Sequence, residues 1–304
     1  MKYNTMEECF GNLNENIFYS IENTDLDEFF ATLDKIDGPT IVTGVGGSSV
    51  VATFLAKILR EKKHIIATFM SPRDLEYMDL GSYQNVVSCS YSGGNVGVIA
   101  SFNNNLNHYL LTGHPKDFAE NIVYNMKEEM SYVSISATMV PLSLLFLYYT
   151  DNNLDLLKEI LDSDIDTPSK KDIYEVIYGY ESQTAATMLD SCFIESGMAA
   201  CALHDKYNYC HGRINLSRKK MSGVIYFRSN NELDEVITDT IPKLYDEITT
   251  IDCRYDDTVI NDFYLTLISL KFIHAVALNN GVDVSDMKEL LINDVFYLFK
   301  GKMK

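Results

Sequence analysis

Thr40-Ile41-Val42-Thr43-Gly44-Val45 is a short, continuous, mostly β-branched run, preceded by the breaker cluster Asp37-Gly38-Pro39 and followed at once by Gly46-Gly47-Ser48-Ser49. Consecutive apolar positions leave no face for water, so the run predicts a strand covered on both sides, as in a parallel sheet. A parallel neighbour needs a crossover, and the helix-like stretch from Val50 to Arg60 supplies one. Strand, small-residue turn and helix in that order place the chain in the α/β class.

The unit recurs. Further strands are predicted at His64 to Met70, Asn85 to Ser90, Tyr109 to Thr112 and Tyr132 to Ser136. One helix opens after Ser92-Gly93-Gly94 and another runs from Met139 to Tyr149, while Tyr3 to Lys35 carries helix-period apolar positions ahead of the first strand. An acidic stretch, Asp151 to Lys171, reads as a helix and a connection. Beyond it the alternation resumes, with strands at Asp172 to Tyr180, Ala199 to His204, Gly223 to Arg228 and Ile248 to Cys253. Helices are predicted between them at Glu181 to Ser196 and Glu232 to Tyr245, and after them at Val259 to Asn279. The expectation is two three-layer αβα domains, 1–150 with a helical lead-in and 172–304 with a helical tail. Each would hold a mainly parallel five-stranded sheet with right-handed crossovers.

Charge and cysteine usage narrow the partners. Lys and Arg total 25 against 43 Asp and Glu, a net charge of −18, which disfavours nucleic acid and anionic membrane surfaces. An anionic substrate would have to be held by local N–H groups against that field. The six cysteines show no CxxC pair and the six histidines no HxxxH pair, so neither a disulfide framework nor a metal site is expected. Polar residues from Met1 to Asn12 do not read as a signal peptide, and the apolar stretch Met139 to Tyr149 is too short for a bilayer. The expected setting is the cytoplasm.

Two loops have the composition of an anion cradle: Gly44-Val45-Gly46-Gly47-Ser48-Ser49 and Ser90-Tyr91-Ser92-Gly93-Gly94-Asn95. Each sits between a predicted strand's end and a helix start, where glycine admits close approach and serine adds donors. The dinucleotide pattern GxGxxG fails at Ser49, and the lysine of phosphate-binding NTPase loops is missing. Tight turns with serine caps account for the same residues without any ligand. In the second half, Glu195 closes an apolar helical turn, where burial would raise its pKa toward that of a useful base. His211 follows sixteen residues later in Cys210-His211-Gly212-Arg213. Taken alone, Glu195 reads first as a helix-end residue and His211 as a loop residue bonded to backbone.

From about Pro39 to Asp283 the sequence resembles the sugar isomerase (SIS) family in its tandem-domain form. Gly44-x-Gly46-Gly47-Ser48 matches the family's GxGxS turn, Ser90 to Asn95 its SxSGxT loop, and Ser136-Ala137-Thr138 its AST segment. Leu189 to Glu195 resembles the helix ending in the family's catalytic glutamate, and His211-Gly212 its HG motif. The resemblance implies a phosphorylated sugar or amino-sugar bound at Gly47, Ser48, Ser90, Ser92, Gly93 and Asn95, with Thr138 and Arg213 bordering the pocket. It implies that Glu195 shuttles a proton between C1 and C2 through a cis-enediol. His211, supplied across a homodimer, would open the sugar ring, and no cofactor would be needed.

Three positions depart from the family pattern. Asn95 replaces a threonine, Cys192 stands where the amino-sugar synthase has lysine, and the synthase's C-terminal lysine register falls on Leu290, with Lys288 two residues away. Aldose–ketose isomerisation and amino-sugar or fructosamine phosphate cleavage both remain open. So does a non-catalytic sugar-phosphate-binding regulator, which would need the first-half cradle but not Glu195 and His211.

Overall fold

The computed structural model describes residues 4–165, 171–219 and 222–285. The chain divides into two compact units, Met1–Leu157 rejoined by the chain from Val284, and Lys158–Asp283. The division falls inside a helix within the stretch expected to connect the domains. Val284 and Ser285 return to the first unit, accepting backbone bonds from Val133 and Tyr132, so the expected tail of the second half begins there as part of the first.

In the first unit three short helices precede the sheet: α1 (Met6–Gly11), α2 (Leu13–Asn23) and α3 (Leu26–Asp34). Local capping explains the breaks in what the periodicity alone joins. Thr5 and Glu8 form a reciprocal capping box at the start of α1, and the Asp25 carboxylate accepts from Glu28 N–H at the start of α3. Then follow β1 (Thr40–Thr43), α4 (Gly47–Lys63), β2 (Ala67–Phe69), α5 (Pro72–Leu75), β3 (Asn85–Cys89), α6 (Val96–Ser101), β4 (Asn107–Thr112), β5 (Glu120–Val123) and α7 (Ser136–Tyr149).

All pairings in this sheet are parallel, in the order β2-β1-β3-β4-β5. The crossover from β1 runs one way and those from β2 and β3 the other, so right-handed connections put α4 on one face and α5 and α6 on the opposite one. Ile41 and Val86 pack with Met70 and Leu75 on the α5 and α6 face. α7 is apolar all round, as suits a helix enclosed by α2 and α4. The fifth strand is Glu120–Val123 and not the expected Tyr132 to Ser136. In the latter segment the N–H groups of Ile135 and Ser136 are taken by the Glu129 carboxylate, which sets up the start of α7 instead of a strand ladder.

α8 (Leu154–Leu161) leads into the second unit, where the order is β6 (Ile173–Tyr178), α9 (Gln183–Glu195), β7 (Ala200–Asp205), α10 (Lys206–His211), β8 (Gly223–Arg228), α11 (Glu232–Thr240), β9 (Ile248–Asp252) and α12 (Thr258–Asn280). This parallel sheet has four strands among the described residues, ordered β7-β6-β8-β9, where five were expected. After β9 the Asp257 carboxylate caps α12 at once, leaving no segment there for a fifth.

One face carries α9 and α12, with Phe193 stacked on Tyr174 and Phe272 edge-on to both. The other carries α10 and α11, whose Tyr209 and Ile237, with Ile241 just past the end of α11, pack with Ile177, Val224 and Tyr226. α12 is long and apolar enough to cross a bilayer, yet most of it is buried inside this unit. The Cys9, Cys89 and Cys192 thiols are buried, and none of the six cysteines is in a disulfide.

Candidate functional site

β1 and β3 lie side by side, with Thr43 opposite Ser88. The sheet reverses its winding direction between them, and that is where open α/β sheets bind ligands, beyond the carboxyl ends of the strands. The two glycine–serine loops leave from these two ends. They come close: Val45 of the first meets the first turn of α6, the helix that the second opens, with Cγ2 2.8 Å from a Cβ built on Gly97.

Most of the free donors are backbone ones. Ser48 N–H donates to Val45 O and Ser49 N–H to Gly46 O, but the N–H groups of Val45, Gly46 and Gly47 have no acceptor among the described residues. Ser92, Gly94 and Asn95 N–H are likewise unused there. The helix α4 begins at Gly47 without a side-chain cap, so its positive end is open. The Ser48 and Ser92 hydroxyls make no hydrogen bond among the described residues, and Ser92 is exposed.

Other members of the expected set support the cradle from within. Ser90 is buried, and its Oγ accepts from Gly93 N–H and Asn95 Nδ2, both at 3.2–3.3 Å, leaving its own proton to donate. Asn95 caps α6 through Oδ1, which accepts from Val98 N–H at 2.8 Å. Thr138 is 3 % exposed and its hydroxyl donates to Ser134 O. Its Oγ1 would stand 2.4 Å from a Cβ on Gly47, so this glycine is dictated by close approach and Thr138 packs under the cradle.

One cation beside these loops escaped the sequence reading. Gly93, at φ +61°, has the Lys116 side chain against it, with Cε 2.9 Å from where a Cβ would be. Lys116 belongs to the loop between β4 and β5 and carries no motif that would single it out.

In the second unit Glu195 ends α9, half-buried, and its Oε1 accepts from Ser191 Oγ at 3.0 Å. Burial raises its pKa and the Ser191 hydroxyl partly counters that. Ser191→Ala, which removes a donor to the ionised form, is expected to move the Glu195 titration to higher pH. Side-chain carboxyl NMR checks this; a midpoint unchanged or lower refutes it.

His211 is exposed at the last residue of α10, and Arg213 follows, interacting electrostatically with Tyr178 and Asp205 at the carboxyl ends of β6 and β7. The sixteen-residue spacing does not bring Glu195 and His211 together. Glu195 precedes β7 and His211 follows it, on helices covering opposite faces, and six strand residues span about 17 Å.

The reversal point of the second sheet is already filled. Lys206, 6 % exposed, pairs with Glu181 at 2.7 Å and Asp234 at 2.8 Å, and Ser229 Oγ joins all three. The chain's own carboxylates thus stand where an anion would have to enter. Asp283 precedes the described end, while Lys288 and Leu290 lie outside the described residues.

No protein-family model and no curated protein matches the sequence. Solved structures do match. Tagatose-6-phosphate ketose/aldose isomerase from Escherichia coli superposes with a TM-score of 0.69 at 14 % identity over 92 % of this chain and 94 % of that one. The C-terminal domain of glucosamine-fructose-6-phosphate aminotransferase from Francisella tularensis gives 0.66 at 14 %, over 92 % and 97 %. Glucosamine-6-phosphate deaminase from Thermotoga maritima gives 0.65 at 15 %, over 91 % and 98 %. The fold is that of the sugar isomerases. At such identities the likeness is one of architecture, and it extends over nearly the whole of each chain.

Proposed function

We propose that the two units are tandem sugar-isomerase domains and that the chain is a phosphosugar-processing enzyme of the cytoplasm. Its reaction would be aldose–ketose isomerisation or the related cleavage of an amino-sugar or fructosamine phosphate. What carries this reading is the pair of neighbouring loops at the reversal point of the first sheet, with unused N–H donors from Val45, Gly46, Gly47, Ser92, Gly94 and Asn95. Such donors hold a phosphate without any net positive charge in the protein.

The Glu195 carboxylate takes the proton from C2 of the aldose to leave a cis-enediol and returns it to C1; the reverse reaction exchanges the two carbons. A raised pKa suits that role, because a base nearer neutrality can also give the proton back. His211, on the far side of β7 from Glu195, serves the partner's site in a homodimer, where it moves the ring-opening proton.

The same separation favours a second reading if the chain acts alone. A monomer with Glu195 and His211 held apart would be a sugar-phosphate-binding regulator.

The test is calorimetric titration with hexose, pentose and amino-sugar phosphates. Ser92→Asp places a carboxylate among the donors and is expected to abolish binding of every phosphorylated sugar that the wild type binds. Each charge-assisted hydrogen bond is worth about 1.5–3 kcal/mol, so loss of two or three removes measurable affinity. Unchanged affinity would place the site elsewhere.

A further inference from the structure

Lys116 has three features that together ask for a ligand. Its side chain lies against Gly93 in the middle of the Ser90–Asn95 loop. Its ammonium makes no ion pair among the described residues. Its backbone is clamped on both sides, since Lys116 N–H donates to Asn121 Oδ1 at 2.9 Å and Lys116 O accepts from Asn121 Nδ2 at 2.8 Å. The clamp anchors the lysine to β5, so its stem leaves from a fixed point and the cost of ordering it beside the loop is small.

The charge balance adds a reason for it. A chain of net charge −18 repels a dianion at long range. Unused N–H groups at the cradle are dipoles and do not distinguish one negative charge from two as sharply as a full cation does. A lysine ammonium is such a cation, compact and able to reach several acceptor oxygens.

We propose that Lys116 is the counter-charge of the phosphate in this cradle, a specificity-determining residue that makes the site prefer a phosphate dianion to a monoanion of the same shape. The inference rests on the reading of the cradle as a phosphate site and adds to it the residue that recognises charge. The second sheet has no vacancy of this kind, because Lys206 at its reversal point is already neutralised by Glu181 and Asp234.

Methyl phosphate and methyl sulfate at pH 8 separate the two ideas, because they carry two charges and one on nearly the same frame. Both are titrated by amide NMR into the full chain as wild type, Lys116→Gln, Lys116→Arg and Ser92→Asp. Wild type is expected to bind methyl phosphate at least ten-fold more tightly than methyl sulfate. Lys116→Gln should lose about ten-fold or more for the phosphate and little for the sulfate, the size of one hydrogen bond to a charged group. Lys116→Arg should keep most of the preference, which a loss of loop structure would not allow.

If Ser92→Asp abolishes binding while Lys116→Gln leaves the phosphate-to-sulfate ratio unchanged, the cradle stands and the role of Lys116 is overturned. If the wild type binds neither probe, or Ser92→Asp binds both as before, the phosphate reading falls and the inference with it. Lys116 is partly exposed, so its replacement opens no core cavity, and an unchanged thermal midpoint confirms that each variant is folded.

Discussion

Glu195→Gln is expected to remove turnover while leaving sugar-phosphate affinity within a few-fold of wild type. Amide and carboxylate share a shape, and only the carboxylate accepts a proton. General-base catalysis is typically worth 10² to 10⁴-fold, so the barrier should rise by about 3 kcal/mol or more. Solvent deuterium should enter C1 or C2 of recovered sugar with the wild type and not with the variant. Mixing adds a second readout. Glu195→Gln and His211→Ala should each be inactive alone, and an equimolar mixture allowed to exchange subunits should recover about a quarter of wild-type activity. That fraction follows for a two-fold dimer because half the molecules are mixed and each holds one intact site of two. A Glu195→Gln protein as active as wild type would leave the regulator reading in front; an inactive mixture would remove the shared site.

Lys206→Met should destabilise the second unit by about 3–5 kcal/mol, the usual cost of removing one partner from a buried ion pair. The loss is large because Asp234 is 1 % exposed and cannot turn to water, while the Glu181 side chain, 15 % exposed, can do so only in part. In the wild type, burial is the largest single influence and opposes ionisation of both groups. The hydrogen bond and charge of Lys206, joined by hydrogen bonds from Ser229 and, at Asp234, from Tyr226, together outweigh it and hold both pKa values below the ordinary carboxylate range. Their contribution is therefore present above the unfolded-state carboxylate pKa and is lost as pH falls through the lower folded-state values. In Lys206→Met the carboxylates prefer the neutral form, so the gap between variant and wild type should narrow in acid. Amide hydrogen exchange on β6 and β8 measures the effect in the unit concerned. The triple variant Lys206→Met/Glu181→Gln/Asp234→Asn, which buries no charge, should recover most of the loss. Equal destabilisation of single and triple variants would mean that packing, not charge, explains it.

The strands most directly legible in advance are those with no wet face. Thr40–Thr43 and Gly223–Arg228 lie in sheet interiors, and their continuous apolar character reports that directly. Glu120–Val123 was not legible, because it is a four-residue edge strand half made of the polar Glu120 and Asn121, whereas the longer edge strands Ala200–Asp205 and Ile248–Asp252 were readable. Tyr132 to Ser136 has a strand-like composition, but the Glu129 carboxylate claims two of its N–H groups. A side chain three or more residues away cannot be seen competing for a ladder from composition alone.

Turn chemistry and class were written locally. The strand–turn–helix alternation fixes the α/β class, and the glycine–serine content of Gly44–Ser49 and Ser90–Asn95 marks where backbone donors can be exposed, because both depend on residues adjacent in the chain. Tertiary structure decided everything that joins distant residues. It seats Lys116 on Gly93 because β4 lies next to β3, and Thr138 under Gly47 because α7 packs on α4. It gathers Glu181, Lys206, Ser229 and Asp234 from four separate segments into one buried cluster. It also separates Glu195 from His211, since the short sequence interval between them is consumed by a strand that carries the chain from one end of the sheet to the other. Spacing along a chain measures contour length, and only the path of the backbone turns contour length into distance.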